Sequence, residues 1–97
     1  MSRTFEMLRK RIQRLKQSRA RVAAAHARFR RDFRAEGFDF DRVERAQRKL
    51  EEARHELQRA FDDGISMLDT NLERIVLQEA DRPAALEHVL GLALTQQ

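Results

Sequence analysis

The heptad repeat between residues 5 and 33 constrains the fold of this chain more than any other feature. Apolar residues recur there at alternating steps of three and four for four heptads, the spacing of a helix that packs along a partner helix. Two polar residues, Arg19 and His26, fall at repeat positions, where polar groups commonly fix register or oligomeric state. The predicted packing seam consists of Phe5, Leu8, Ile12, Leu15, Arg19, Val22, His26, Phe29 and Phe33.

The composition points to a single all-α domain spanning residues 1–97. Only 3 Gly and 1 Pro occur in 97 residues, and good helix formers dominate the rest. A chain of this length buries only a thin core, so long helices or self-association are the usual means of stabilisation. We therefore expect a long antiparallel helical hairpin of coiled-coil type, followed by a short apolar helix.

The first helix is predicted to run from about residue 3 to residue 35. Ser2 and Thr4 are both plausible N-caps for it, because their hydroxyl groups accept hydrogen bonds from the first free backbone N–H groups. Gly37 is the expected residue just past its end, since glycine adopts the left-handed conformation that closes many helices.

The second arm of the hairpin follows a turn at residues 36–41. Asp41 is predicted to cap it, with Glu44 three residues later as its capping-box partner. Large and small apolar residues then alternate along one stripe, which lets two helix backbones approach closely in an antiparallel hairpin. This second seam comprises Val43, Ala46, Leu50, Ala53, Leu57 and Ala60.

The sequence does not decide whether the second helix continues through Gly64. The apolar phase continues through Gly64, which favours a continuous or mildly kinked second helix over residues 42–80; the alternative is a true break with Asp63 as a cap. Pro83 suits the first turn of a third helix over residues 83–94. That helix is apolar on more than one side, including Leu86, Val89 and Leu90, so we expect a second chain or a partner to cover it.

Charge is distributed unevenly along the chain, whose formal net charge is +4. Basic residues dominate the first 21 positions and acidic residues dominate the last 43, so part of the gradient is expected to pair within the hairpin. An unpaired remainder would attract a polyanion such as nucleic acid. The candidate polyanion-binding residues are Arg9, Lys10, Arg11, Arg14, Lys16, Arg28, Arg30, Arg31 and Arg34.

No pattern in the sequence indicates catalysis or a cofactor. The chain has no Cys, and His26, His55 and His88 do not pair at a convincing metal-ligand spacing. No nucleophile–base motif or phosphate-binding glycine loop occurs. We expect no catalytic residues, no metal site and no cofactor, and hence a protein that is not an enzyme.

These observations lead to two expectations about function. The first is a cytoplasmic, non-catalytic helical oligomer, a dimer or larger, that serves as an adaptor, chaperone-like or regulatory protein-interaction module. The alternative is a sequence-independent nucleic-acid-binding protein, of a nucleoid or virion structural kind, that uses the basic face of helix 1. A membrane-surface role is disfavoured, because the apolar stripe has the pattern of helix packing.

Overall fold

The computed structural model describes residues 3–96, which fold into four α-helices: α1 (Arg3–Arg34), α2 (Phe40–Ile65), α3 (Thr70–Leu77) and α4 (Arg82–Thr95). Helices α1 and α2 form an antiparallel hairpin, as the seams predicted, and the all-α fold is confirmed. At about 1.5 Å per residue, α1 alone is ~48 Å long. The predicted N-cap Ser2 lies outside the described residues.

The turn of the hairpin closes as expected at Gly37 but is capped by a different aspartate. Gly37 has a φ of 72°, the left-handed conformation that glycine adopts without steric cost. The N-cap of α2 is Asp39, whose carboxylate accepts hydrogen bonds from the N–H groups of Asp41 (3.1 Å) and Arg42 (3.4 Å). The prediction of Asp41 is wrong because Asp39 is the extended residue before the helix, and Asp41 already lies in its first turn.

The second predicted helix is two helices, so the preferred continuous interpretation is wrong. Helix α2 ends at Ile65, and α3 begins after Asp69, whose carboxylate accepts a hydrogen bond from the N–H of Leu72 (2.9 Å). The alternative cap, Asp63, lies within α2. The apolar phase crosses the break because Met67 and Leu68, in the connection, pack against the same core as the helices do.

Helix α4 lies close to its predicted position and packs against the hairpin. Its N-cap is Asp81, which accepts a hydrogen bond from the N–H of Ala84 (3.2 Å), and Pro83 occupies the first turn. Leu86 and Leu90 are fully buried. They approach the α2 backbone at Gly64, where the absence of a side chain leaves room for them.

The core is concentrated at the end of the hairpin against which α4 packs. Its buried members are Leu8, Leu15, Ala60, Phe61, Val76, Leu86 and Leu90. The other half of the hairpin has only two helices, joined through the buried Val43, Ala46 and Leu50. The molecule is elongated, 54 × 28 × 17 Å, with a thicker end that contains α3 and α4 and a bare end at the turn.

The buried side of α1 matches the predicted heptad seam at the start of the helix and departs from it further along. Leu8 and Leu15 are buried, but His26 and Phe33 are exposed, and the unpredicted Ser18 and Asp32 are buried instead. A straight α-helix has 3.6 residues per turn, so it drifts about 20° per heptad from an ideal 3.5-residue repeat. Over four heptads the drift carries the interhelical contact to neighbouring positions.

Candidate interaction surfaces

Two of the predicted polyanion-binding arginines are engaged by α2. Arg14 donates hydrogen bonds to Glu56 (Nη2 to Oε1, 3.1 Å) and to Asp63, and Nη1 of Arg11 lies 3.5 Å from Oδ2 of Asp63. Hydrogen bonds from Arg59 and then Arg14 lower the pKa of Glu56, while those to Asp63 and Glu56 raise the pKa of Arg14. These arginines stabilise the hairpin and are only partly available to an external anion.

Arg19, predicted as a polar seam residue, instead joins α1 to α4. It donates a hydrogen bond to Glu87, and its Nη2 lies 3.6 Å from Oδ2 of Asp81 at the start of α4. The hydrogen bond to Glu87 raises the pKa of Arg19. The Glu87 side chain is only 12% exposed, so the guanidinium neutralises a carboxylate that would otherwise be buried without a counter-charge. No spacing in the sequence links residues 19 and 87, so this contact was not predicted.

A buried carboxylate between the two arms holds Arg28, a third member of the predicted basic set. Asp32 is 6% exposed, with Nε of Arg42 at 3.5 Å from Oδ1 and Nε of Arg28 at 4.0 Å from Oδ2. Arg42 belongs to α2, so the interaction links the arms near the turn. Asp32 also lowers the positive charge that Arg28 presents to solvent.

The rest of the predicted basic set is exposed. The guanidinium of Arg9 lies over the ring of Phe5, 4.9 Å from its centroid. The other members form no ion pair within residues 3–96: Lys10, Lys16, Arg30, Arg31 and Arg34. Three of them cluster in the last turns of α1, close to the bare end of the hairpin.

An aromatic tip lies at that end and consists of Phe33, Phe38 and Phe40. Phe38 is 54% exposed and Phe40 is 68% exposed. The rings of Phe33 and Phe38 meet edge to face with centroids 6.1 Å apart, and the partly buried Phe29 lies 6.0 Å from Phe33. Phe33, Phe38 and Phe40 each leave more than half of their surface in water, and Glu36 and Asp41 lie beside them in the sequence.

A second apolar surface, the α3–α4 face, lies at the thick end of the molecule. Helices α3 and α4 enclose a groove of about 460 Å³ whose lining includes Ile75, Ala84, Ala85 and Val89. Ile75 is 54% exposed. Leu92 is 49% exposed and follows Val89 by three residues, so it extends the same helix face.

The three apolar α4 residues that were predicted to need a partner lie mostly in the core of the chain itself. Leu86 and Leu90 belong to the chain's own core, and Val89 is partly buried against it. The sequence did not identify Ile75 as an accessible residue, because the predicted continuous helix over residues 42–80 included it. Only the break before Asp69 reveals that Ile75 belongs to a separate, largely exposed helix.

Residues 3–96 contain no candidate for two other kinds of site. No group of three or more His, Asp or Glu residues there could hold a metal ion. No helix in that segment has both the length and the apolar character needed to cross a membrane.

Comparison with known proteins gave no match: no family model, curated protein or solved structure resembles this chain significantly. The geometry of the chain itself therefore supplies the basis for a functional proposal.

Proposed function

We propose that this chain is a non-catalytic, oligomeric helical interaction module, an adaptor, chaperone-like or regulatory protein that binds protein partners through its apolar surfaces. The observation that carries the proposal is the exposure of large apolar side chains in a chain that already has a closed core. These residues are Met7, Phe33, Phe38, Phe40, Leu72, Ile75, Leu77 and Leu92.

Clustering distinguishes these residues from ordinary scattered surface apolar groups. The aromatic tip and the α3–α4 face lie at opposite ends of the molecule, and contiguous exposed apolar surface commonly marks an interaction site. The rest of the surface is rich in charge, since 37% of the residues are Asp, Glu, Lys or Arg. Such a surface supports solubility while the two apolar ends contact partners. The lack of cysteine supports a cytoplasmic location within this proposal.

Affinity capture from the native host tests this proposal. The immobilised wild-type chain is compared with three variants: the aromatic-tip variant Phe38→Ser, Phe40→Ser, the α3–α4 variant Ile75→Ser and the control Lys16→Ser. Each is tested with and without nuclease and at low and high salt. We expect the wild-type chain to capture protein under all these conditions, and we expect capture to decrease in the aromatic-tip variant or in the α3–α4 variant but not in the control. Capture that is equal for all variants, or that nuclease abolishes, would contradict the proposal.

Nucleic-acid binding is the second candidate, favoured by the unpaired cations of α1. Arg30, Arg31 and Arg34 have no ion pair within the described residues, so they are available to contact a phosphate backbone without reading bases. Mobility-shift titration at low salt tests it. Binding should be independent of sequence, weaken steeply with salt and weaken further when all three are replaced by Gln. The absence of a shift at tens of micromolar protein would exclude this candidate.

A further inference from the structure

A pocket of about 270 Å³ lies between α2 and the start of α4, and it shares no lining residue with the groove on the α3–α4 face. Part of its lining is apolar, since Phe61 is buried and Leu57 is partly buried against the core. The volume is just below the range of about 300–1,000 Å³ that is usual for small-molecule sites, so the pocket suits a small ligand. This α2–α4 pocket is lined by Arg54, Leu57, Gln58, Phe61, Arg82 and Pro83.

Two arginines from different helices border the α2–α4 pocket without a counter-charge. Neither Arg54 of α2 nor Arg82 of α4 forms an ion pair with another of residues 3–96. Within that segment no Asp or Glu lines the pocket, whereas four other depressions in the surface each have at least one. The α2–α4 pocket therefore combines an apolar lining with uncompensated positive charge.

The carboxylates that lie close to this pocket in the sequence are engaged elsewhere. Asp81, which precedes Arg82, caps α4 and pairs with Arg19. Asp62 accepts a hydrogen bond from the side-chain amide of Gln58 (2.9 Å). Because Asp81 occupies the start of α4, an anion in the pocket would be held by the arginine side chains and not by the end of the helix.

We propose that the α2–α4 pocket binds a small amphipathic anion, an apolar group that carries one carboxylate or phosphate. The guanidinium groups of Arg54 and Arg82 hold the charged group, because the planar fork of N–H donors matches the oxygens of either anion. The apolar part of the ligand covers Leu57, Phe61 and Pro83 and is removed from water with them.

Both parts of the ligand are needed for this fit. An inorganic anion would leave the apolar lining uncovered, and a neutral apolar molecule would desolvate the guanidinium groups without supplying a counter-charge. The site goes beyond the proposed function and does not depend on it. Neither arginine belongs to the predicted polyanion-binding set on α1, and the pocket is separate from the aromatic tip.

Heteronuclear NMR titration of the isotope-labelled full chain at constant ionic strength tests the proposal. The probes are phenylacetate and phenyl phosphate, which have the same ring and different anionic groups. At least one should shift the Arg54 and Arg82 side-chain resonances saturably, with a Kd of about 1 mM, as expected for a ligand of this size. The tighter probe identifies the preferred anionic group. Acetate and phenylacetamide, which lack the ring and the charge respectively, should bind at least about 10-fold more weakly.

Matched variants locate the bound probe. Arg54→Gln and Arg82→Gln should each weaken binding roughly 10-fold, because each removes one charged donor, whereas Arg31→Gln, at another exposed arginine without an ion pair, should leave it unchanged. Circular dichroism establishes that the variants remain folded, as expected for exposed positions.

Three results would overturn the proposal. The first is no saturable shift at the pocket with either anionic probe up to about 20 mM, well above the expected Kd. The second is equal binding of acetate or phenylacetamide, or binding that both pocket variants retain. The third is a shift of Arg54 and Arg82 with a single-stranded oligonucleotide but with neither small anion, which would assign these arginines to a nucleic-acid surface. Protein capture by the apolar surfaces is measured separately, so these results leave the proposed function to its own experiment.

Discussion

Replacing Gly64 with Ala probes the packing of α4 on the hairpin at its closest point. A Cβ at this position would lie 2.9 Å from Cδ2 of Leu86 and 3.5 Å from Cδ1 of both Leu15 and Leu90. The first distance is shorter than Cβ contacts in proteins tolerate, so Leu86 must move. Leu86 has no exposed surface, so its side chain can move only by shifting the residues packed around it.

Two opposing effects set the size of the change. Ala stabilises a helix interior by about 1 kcal/mol relative to Gly, whereas an added methyl group in a packed core costs about 1–3 kcal/mol. The expected net result is a loss of roughly 0–2 kcal/mol. Gly91 provides a matched control within α4, because a Cβ there meets nothing within 4 Å. Gly91→Ala should therefore stabilise the chain by up to ~1 kcal/mol.

Urea denaturation of both variants at one protein concentration, followed by far-ultraviolet circular dichroism, measures the difference. Gly64→Ala should be about 1–3 kcal/mol less stable than Gly91→Ala. For a domain of this size each kcal/mol corresponds to about 4–8 °C in Tm, so the difference is visible in thermal melts as well. Equal stabilisation by the two substitutions would show that α4 does not pack on Gly64, and would refute the described core.

Three further predictions concern single side chains. Leu15→Ala, at a fully buried position, should lower the free energy of unfolding by about 2–5 kcal/mol. Lys10→Ala, at an exposed position, should change it by no more than about 0.5 kcal/mol. Urea denaturation measures both, and similar values for the two variants would contradict a packed seam at Leu15. Arg19→Leu should destabilise the fold by about 1–3 kcal/mol, because it leaves the Glu87 carboxylate without its partner. Amide hydrogen exchange should become faster in α4 first. A variant more stable than wild type would show that the fold does not need this ion pair. The lowered pKa of Glu56 means that the unfolded chain binds a proton at higher pH than the folded chain, so this contribution to stability is complete above about pH 4.5 and is lost as pH falls below it. Tm should accordingly fall less between about pH 5 and pH 3 in Glu56→Gln than in wild type, and parallel curves would argue against the contact with Arg14 and Arg59.

The hairpin could be predicted from the sequence because its determinants are local. Heptad spacing, alternating large and small residues on α2, and Gly37 at the turn each depend on residues within a few positions of one another. The position of α4 depended equally on local signals, Asp81 and Pro83.

What the sequence did not reveal depends on contacts between distant residues. Whether Gly64 ended α2 could not be decided from spacing, because Met67 and Leu68 continue the apolar phase while the backbone turns. Drift of a straight helix from the heptad moved His26 out of the interface and brought in Asp32, which is neutralised across the hairpin by Arg42. The accessible surface of Ile75 likewise becomes apparent only once α3 is a separate helix.

Site-specific photo-crosslinking in the native host tests the central claim, that the chain acts through its apolar ends, most directly. A photoreactive amino acid is introduced separately at Phe38, Leu92 and Arg31, all exposed positions. The account predicts protein adducts from Phe38 and Leu92 and little from Arg31. Adducts that form only from Arg31 and contain nucleic acid would contradict it.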